Sequence, residues 1–386
     1  MAKILVVDDE IDLQHLIRQR FRRQIRDNSM QFLFAHNGQE ALDQIAAEHD
    51  VDLVLSDINM PVMDGLTLLA KLREAEEITK AVIISAYGDM QNIRTAMNRG
   101  AADFLIKPID FADMEATIDK MLGEVRKARL AQVQEQRLKG LERELELAAR
   151  IQQSSLPQPG PEILRDSRFR LHAAMRPARE VGGDLYDYFL LDKDHLAVVI
   201  GDVSGKGIAA ALFMMMSRTL LRVTAQQGLE PAECLRVVNQ TLAGNNAAHM
   251  FVTLFYGVID LTTGKMEFSC AGHNPPFIAS TDGNIRMMDV SQGGLVLGLF
   301  GSAAYNTESV QLAPGDMLLL YTDGVNEAFN EPLDQLGEER MEAQLATTLN
   351  APLDELVAGM LNLVDTYADG FPQSDDITML ATRFVG

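Results

Sequence analysis

Carboxylates at strand ends carry most of the chemistry this 386-residue chain could do. Asp8 and Asp9 follow the apolar run 3–7, Asp57 follows 52–56, Ser85 closes 81–85, and Lys107 follows 102–106. Three gathered carboxylates repel one another and so favour a divalent cation. Mg²⁺ at Asp8, Asp9 and Asp57 would orient a phosphoryl group for in-line attack by the Asp57 carboxylate. Lys107 would pair with the new phosphate, and Ser85 would donate a hydrogen bond to it. A second set lies in residues 157–386: Gly-Gly-Asp at 182–184, Gly-Asp-Val-Ser-Gly-Lys-Gly at 201–207, Tyr-Thr-Asp-Gly-Val at 321–325 and Ser-Asp-Asp-Ile-Thr at 374–378. Each sets an aspartate at a strand end, and carboxylates without His or Cys suit hard cations such as Mg²⁺ or Mn²⁺. The 201–207 stretch is not a phosphate-binding Walker loop. Three residues separate Gly201 from Gly205, and Gly207 stands where Ser or Thr should follow the lysine.

The elements that must position these residues fall into three segments. Residues 1–121 alternate strand-like runs (3–7, 31–35, 52–56, 81–85, 102–106) with helical stretches. This predicts an α/β fold, a doubly wound five-stranded parallel sheet with ligand chemistry at the carboxyl ends of its strands. Residues 122–156 hold no proline and two glycines, Gly123 and Gly140. Leu138, Leu141, Leu145 and Ala148 recur at 3-4-3 spacing, which predicts a long helical linker with a short coiled-coil seam. The Pro-rich run from Leu156 to Pro161 ends it. Residues 157–386 show strand-like runs at 169–175, 185–191, 195–203, 251–260, 265–270, 316–321 and 378–384, with helices expected in 207–227, 231–243 and 337–367. Many strands and clustered helices predict an α+β segment with antiparallel sheets.

Composition limits the function classes. The chain has 34 basic and 55 acidic residues, a formal charge of −21. Residues 1–122 carry −8, residues 123–156 carry +2, and residues 157–386 carry −15. Such a chain is a poor binder of nucleic acid or anionic membrane, and a DNA-binding output is disfavoured. Cys234 and Cys270 cannot build a disulfide framework and read as buried thiols in a reducing compartment. The N-terminus has no apolar segment of signal-peptide length, and the apolar run 208–216 falls short of a span of about 20 residues. A soluble, cytoplasmic protein is expected.

Residues 1–121 resemble a response-regulator receiver domain. The matching pieces are Val7-Asp8-Asp9-Glu10, the stretch from Ser56 to Pro61 with Asp64-Gly65, Ser85-Ala86, and the stretch from Ala102 to Pro108. The resemblance implies a phosphoacceptor at Asp57 fed by a sensor histidine kinase. It implies Mg²⁺ held by Asp8, Asp9, Asp57 and the Asn59 carbonyl, a cis Lys107–Pro108 bond, and Ser85 and Phe104 as the residues that report phosphorylation.

Residues from about 145 to the end resemble the metal-dependent Ser/Thr protein phosphatases of the PPM class, in the bacterial SpoIIE and RsbU branch. Ala149-Arg150-Ile151-Gln152-Gln153-Ser154-Ser155-Leu156-Pro157 and Ala271-Gly272-His273-Asn274-Pro275-Pro276 extend the match beyond the aspartates. The resemblance implies a β-sandwich flanked by helices over 157–386 that holds two Mn²⁺ or Mg²⁺ ions. Asp202 bridges the two ions; Asp323 and Asp375 complete one site; the Val203 carbonyl serves the other, with Asp184 reaching it directly or through water. Water activated between the ions attacks the phosphorus of phosphoserine or phosphothreonine. Asp376 is a supporting residue, His273 reads as structural rather than as a general acid, and the role of Arg179 stays open. The combination implies a response regulator whose Asp57 controls a phosphatase acting on a phosphorylated STAS-domain anti-sigma-factor antagonist, in a homodimer joined through the linker helix. The alternative is a catalytically weak PPM-fold adaptor that binds a sigma factor or an anti-sigma regulator.

Overall fold

The structure, a computed structural model, describes all residues except 49, 75–77, 87–88, 158–162, 164 and 332. The chain divides into two compact units, Met1–Leu141 and Glu142–Gly386.

In the first unit, β1 (Ala2–Val7), β2 (Met30–Ala35), β3 (Leu53–Asp57), β4 (Lys80–Ala86) and β5 (Asp103–Lys107) form one parallel sheet in the order β2-β1-β3-β4-β5. The middles of its central strands, Ile4–Val7, Leu53–Leu55 and Ala81–Ile84, are continuously apolar because both faces are covered. Leu5, Val7, Val54 and Ile83 pack with Ala41, Ile45, Leu68, Leu72 and Ala96, from α3 (Gly38–Glu48), α4 (Gly65–Glu74) and α5 (Met90–Asn98). Ile4, Val6, Leu55, Val82 and Ile84 pack on the other face with Leu13 and Ile17 of α1 (Ile11–Arg20), and with Met114, Ile118 and Met121 of α6 (Phe111–Ser155). A five-residue helix, α2 (Arg22–Arg26), follows α1. The strand order reverses at β1, so the carboxyl ends of β1 and β3 open into one crevice.

The linker 122–156 is the later part of one helix, α6, which begins at Phe111. Its first turns are the closing helix of the sheet, so no composition change marks the start. It ends at Ser155; the Pro159-Gly160-Pro161 stop lies outside the described residues. Leu138 and Leu141 of the expected seam are exposed, with Leu145 and Ala148 half-buried.

The second unit is a sandwich of two antiparallel five-stranded sheets. One runs β13-β10-β9-β8-β7, built from β7 (Leu185–Leu190), β8 (His195–Val203), β9 (Val252–Asp260), β10 (Lys265–Ala271) and β13 (Glu308–Gln311). The other runs β12-β11-β14-β15-β6, built from β6 (Phe169–Arg176), β11 (Phe277–Ala279), β12 (Ile285–Met287), β14 (Met317–Tyr321) and β15 (Ile377–Phe384). Period-2 alternation sorts the side chains. Leu196, Val198 and Ile200 of β8 meet Leu318, Leu320 and Leu380 between the sheets. Ala197 and Val199 face outward onto α7 (Ile208–Ala225) and α8 (Pro231–Gly244). Leu319, Tyr321 and Met379 face α9 (Glu338–Thr348) and α10 (Leu353–Ala368). Among the described residues α7 is the one helix long and apolar enough to cross a membrane, and Ala210, Phe213, Met214 and Leu221 on it belong to the core. Cys234 and Cys270 are buried free thiols, pushed up to about 12 and about 11 by burial.

Candidate active sites

The first acidic site forms where the sheet topology requires it. Asp8 and Asp57 are buried at the ends of β1 and β3, while Asp9 is exposed. Ligand oxygens of all three lie within 4.8 Å of one another. Lys107 bridges them, its Nζ 2.6 Å from Asp57 Oδ2 and 3.0 Å from Asp8 Oδ2. Burial alone would lower the lysine. The hydrogen bonds to Asp57 and Asp8 outweigh it and hold the ammonium above its ordinary range. Burial also raises the Asp8 carboxyl, against the Glu10 amide and Lys107. Asp57 Oδ1 accepts from the Ile58 amide at 2.6 Å, leaving Oδ2 as the oxygen aimed into the pocket. Gly65 is obligatory here: a Cβ on it would lie 2.1 Å from the Asp57 carbonyl oxygen. Ser85 is buried, and its hydroxyl has no partner among the described residues. Asn59 is exposed and Phe104 half-buried. The Lys107–Pro108 bond is cis. Three hard oxygen donors in a pocket open to solvent at Asp9 fit a Mg²⁺-sized cation.

The second acidic site lies at one end of the sandwich. Register brings its parts together: Leu185 at the start of β7 pairs with Gly201, just before Asp202, and Tyr321 at the end of β14 pairs with Met379, near the start of β15. Asp184, Asp202, Asp323 and Asp375 therefore share that end. Burial and the charges of Asp323 and Asp375 push the Asp202 carboxyl up to about 7. Burial and Asp202 raise Asp184, and burial and Asp375 raise Asp323. Such crowding of carboxylates is the electrostatic mark of a cation site, and an all-oxygen donor set suits Mn²⁺ or Mg²⁺. Among the described residues these carboxylates do not converge as tightly as Asp8, Asp9 and Asp57 do. Asp375 instead pairs through Oδ2 with Lys206 Nζ at 2.9 Å.

The supporting residues have distinct tasks. Asp376 directs Oδ1 to the Ala178 amide at 2.7 Å and Oδ2 to the Gly183 amide at 2.5 Å, so it shapes the loop that carries Asp184. Gly183 lets that loop close on β8, since a Cβ there would lie 2.9 Å from the Val203 carbonyl oxygen. His273 is buried between the sheets: Nδ1 meets Thr253 Oγ1 at 2.9 Å and Nε2 meets the Tyr321 carbonyl at 3.1 Å. Burial pushes its imidazole down to about 4, so it is a neutral strut between β9, whose Thr253 lies opposite Asp202, and the end of β14, two residues before Asp323. Arg179 is exposed. Two contributors escaped the sequence reading. Thr322 donates to Asp184 Oδ2 at 2.7 Å. Gln152, near the end of α6, brackets Gly182, donating to its carbonyl at 2.6 Å and accepting from its amide at 3.0 Å.

The family described as Stage II sporulation protein E (SpoIIE) matches residues 192–385. The chain belongs to that family. The response regulator receiver domain family matches residues 4–119, the first acidic site included. Phosphoserine phosphatase RsbU of Bacillus subtilis is 30% identical over 284 residues, which cover 71% of this chain and 79% of RsbU. Protein IcfG of Synechocystis is 35% identical over 265 residues, 62% of this chain, and the match spans only 41% of IcfG. The SiaA-PP2C domain of Pseudomonas aeruginosa shares the fold of the second unit, with a TM-score of 0.56 and 24% identity over 64% of this chain and 98% of that one. The SpoIIE-family unit is thus a PPM-type protein serine/threonine phosphatase domain, preceded in the chain by a receiver.

Proposed function

We propose that the chain is a two-component response regulator in which phosphorylation of Asp57 controls hydrolysis of phosphoserine or phosphothreonine in a partner protein. In this reading residues 1–121 are the receiver, 122–156 the connector and 157–386 the phosphatase. The observation that carries it is the joint presence of a receiver pocket built on Asp8, Asp9, Asp57 and Lys107 and a SpoIIE-family acidic site. Asp57 accepts a phosphoryl group from a sensor histidine kinase, with Mg²⁺ held by Asp8, Asp9, Asp57 and the Asn59 carbonyl. Lys107 then exchanges a carboxylate partner for a phosphate, and the unpartnered Ser85 hydroxyl gains an acceptor. Ser85 and Phe104 report the change.

At the second site, Asp184, Asp202, the Val203 carbonyl, Asp323 and Asp375 would hold two Mn²⁺ or Mg²⁺ ions, which would supply an activated water and neutralise charge on the phosphoryl group. Water oxygen bonds to phosphorus, the bond from phosphorus to the serine oxygen breaks, and that oxygen takes up a proton. Asp376, Thr322 and His273 hold the ligand strands and loop in register. The name of RsbU supports phosphoserine as the reacting group. The substrate proposed is a phosphorylated STAS-domain anti-sigma-factor antagonist in a partner-switching pathway, in the cytoplasm. The exposed Leu138 and Leu141, with Leu145 and Ala148, form the seam of a homodimer. Incubation of a phosphorylated STAS-domain protein with Mn²⁺ and the full chain is the test. Release of phosphate by the wild type and not by Asp202→Ala is expected; equal release, or none from either, overturns the reading.

A further inference from the structure

One cation stands beside the second acidic site, and its placement is built rather than incidental. Lys206 lies on the loop 204–207 between β8 and α7. Gly205 and Gly207, on either side of it, have φ of 86° and 77°. Nothing crowds either α-carbon, so what glycine supplies is the left-handed backbone path. Ser204 pins the loop to the sheet, its amide donating to the Phe251 carbonyl at 2.9 Å and its hydroxyl accepting from the Phe251 amide at 2.9 Å. The lysine reaches residues 168 positions away, donating to the Ser374 carbonyl and pairing with Asp375.

Three other cations of this unit are committed to other carboxylates, while Arg179 is exposed. Arg176 pairs with Asp365 at 2.7 Å, and Arg218 and Arg222 pair with the buried Asp187 at 3.1 and 2.8 Å. Among the described residues, Lys206 makes the one ion pair given to Asp184, Asp202, Asp323, Asp375 or Asp376. An ammonium group has three N–H donors. Two of these point at Ser374 and Asp375, and the side chain remains 38% exposed, so a third is left for a ligand from solvent. A phosphoserine brings about −1.5 to −2 charges into a cluster of carboxylates and needs such a donor.

We propose that Lys206 is a catalytic residue of this site, its ammonium binding a non-bridging oxygen of the substrate's phosphoryl group while Asp375 holds it in place. The proposal rests on the phosphatase reading above, and its test separates the two. Inorganic phosphate is titrated calorimetrically into the Mn²⁺-loaded full chain, as wild type, Lys206→Met and Lys206→Arg, with Mn²⁺ affinity measured in parallel. Steady-state rates are taken on a phosphoserine peptide. Lys206→Met is expected to weaken phosphate binding about tenfold, by loss of one charge-assisted hydrogen bond. It should raise KM more than it lowers kcat and leave Mn²⁺ affinity equal or tighter; Lys206→Arg should recover most of the loss. Unchanged phosphate affinity in Lys206→Met overturns the proposal and makes the lysine a counter-ion of Asp375 alone, as does a wild type that binds no phosphate. A wild type that binds phosphate through Lys206 yet hydrolyses nothing refutes the phosphatase reading and leaves the binding role standing.

Discussion

Replacing Gln152 with alanine should weaken the phosphatase unit out of proportion to the atoms removed. Gln152 is 3% exposed and meets both polar groups of the buried Gly182 peptide, the carbonyl at 2.6 Å and the amide at 3.0 Å. Truncation strands both backbone groups. A buried donor or acceptor without a partner costs about 1–3 kcal/mol, so the pair costs about 2–6 kcal/mol. Water entering the space left by the amide offsets part of this, and about 2–4 kcal/mol is expected. Gly182 stands two residues before Asp184, so the metal-side loop loosens as well. Hydrolysis should fall by about tenfold or more, since displacement of reacting groups by about 1 Å can cost a hundredfold. Tyrosine fluorescence during urea unfolding isolates the unit: the chain has no tryptophan, and of its seven tyrosines only Tyr87 precedes residue 142. Gln152→Glu keeps the acceptor for the amide but sets an anion against the carbonyl, and should be at least as damaging. A shift below about 0.5 kcal/mol, the range of an ordinary surface substitution, with full activity would refute the reasoning.

Three further outcomes follow from the same structure. His273 has a folded-state pKa pushed down to about 4 from its ordinary 6.5 by burial, so its contribution is present above pH 6.5 and lost as pH falls towards 4. The loss is about 3 kcal/mol in all and should be absent from His273→Gln; comparing the two urea midpoints across that window removes the opposing contribution of the raised carboxyls. Gly65→Ala drives a Cβ into the Asp57 carbonyl oxygen and should destabilise the first unit by about 3 kcal/mol or more, read as lost hydrogen-exchange protection in residues 4–119 with the second unit unaffected. Mg²⁺ at about a hundred times its Kd should add about 2.7 kcal/mol of protection to the same unit, and Asp8→Asn or Asp9→Asn should remove the gain.

The strands and long helices were readable because their periodicities are strong. The central strands of the first sheet are continuous apolar runs, and β8 alternates between two cores with scarcely a polar residue, so both stood out. The strands that escaped, β11, β12 and β13, have three or four residues, too few to establish a period. The aspartates were legible since strand ends and glycines announce them. Their partners were not. Gln152 and Gly182 are 30 residues apart, Lys206 and Asp375 farther still, and each pairing depends on how loops close at one end of the sandwich. Thr322 is a small polar residue next to the more conspicuous Asp323, without a signal of its own.

The central claim is that the receiver pocket governs hydrolysis at the second acidic site. The direct measurement is the rate of phosphate release from a phosphoserine peptide by the full chain with Mn²⁺, with and without beryllofluoride, a mimic of the phosphoryl group on Asp57. Beryllofluoride is expected to change the wild-type rate and leave Asp57→Asn unchanged, with Asp202→Ala inactive in both conditions. Identical wild-type rates with and without the mimic, with its binding to the receiver verified, would contradict it.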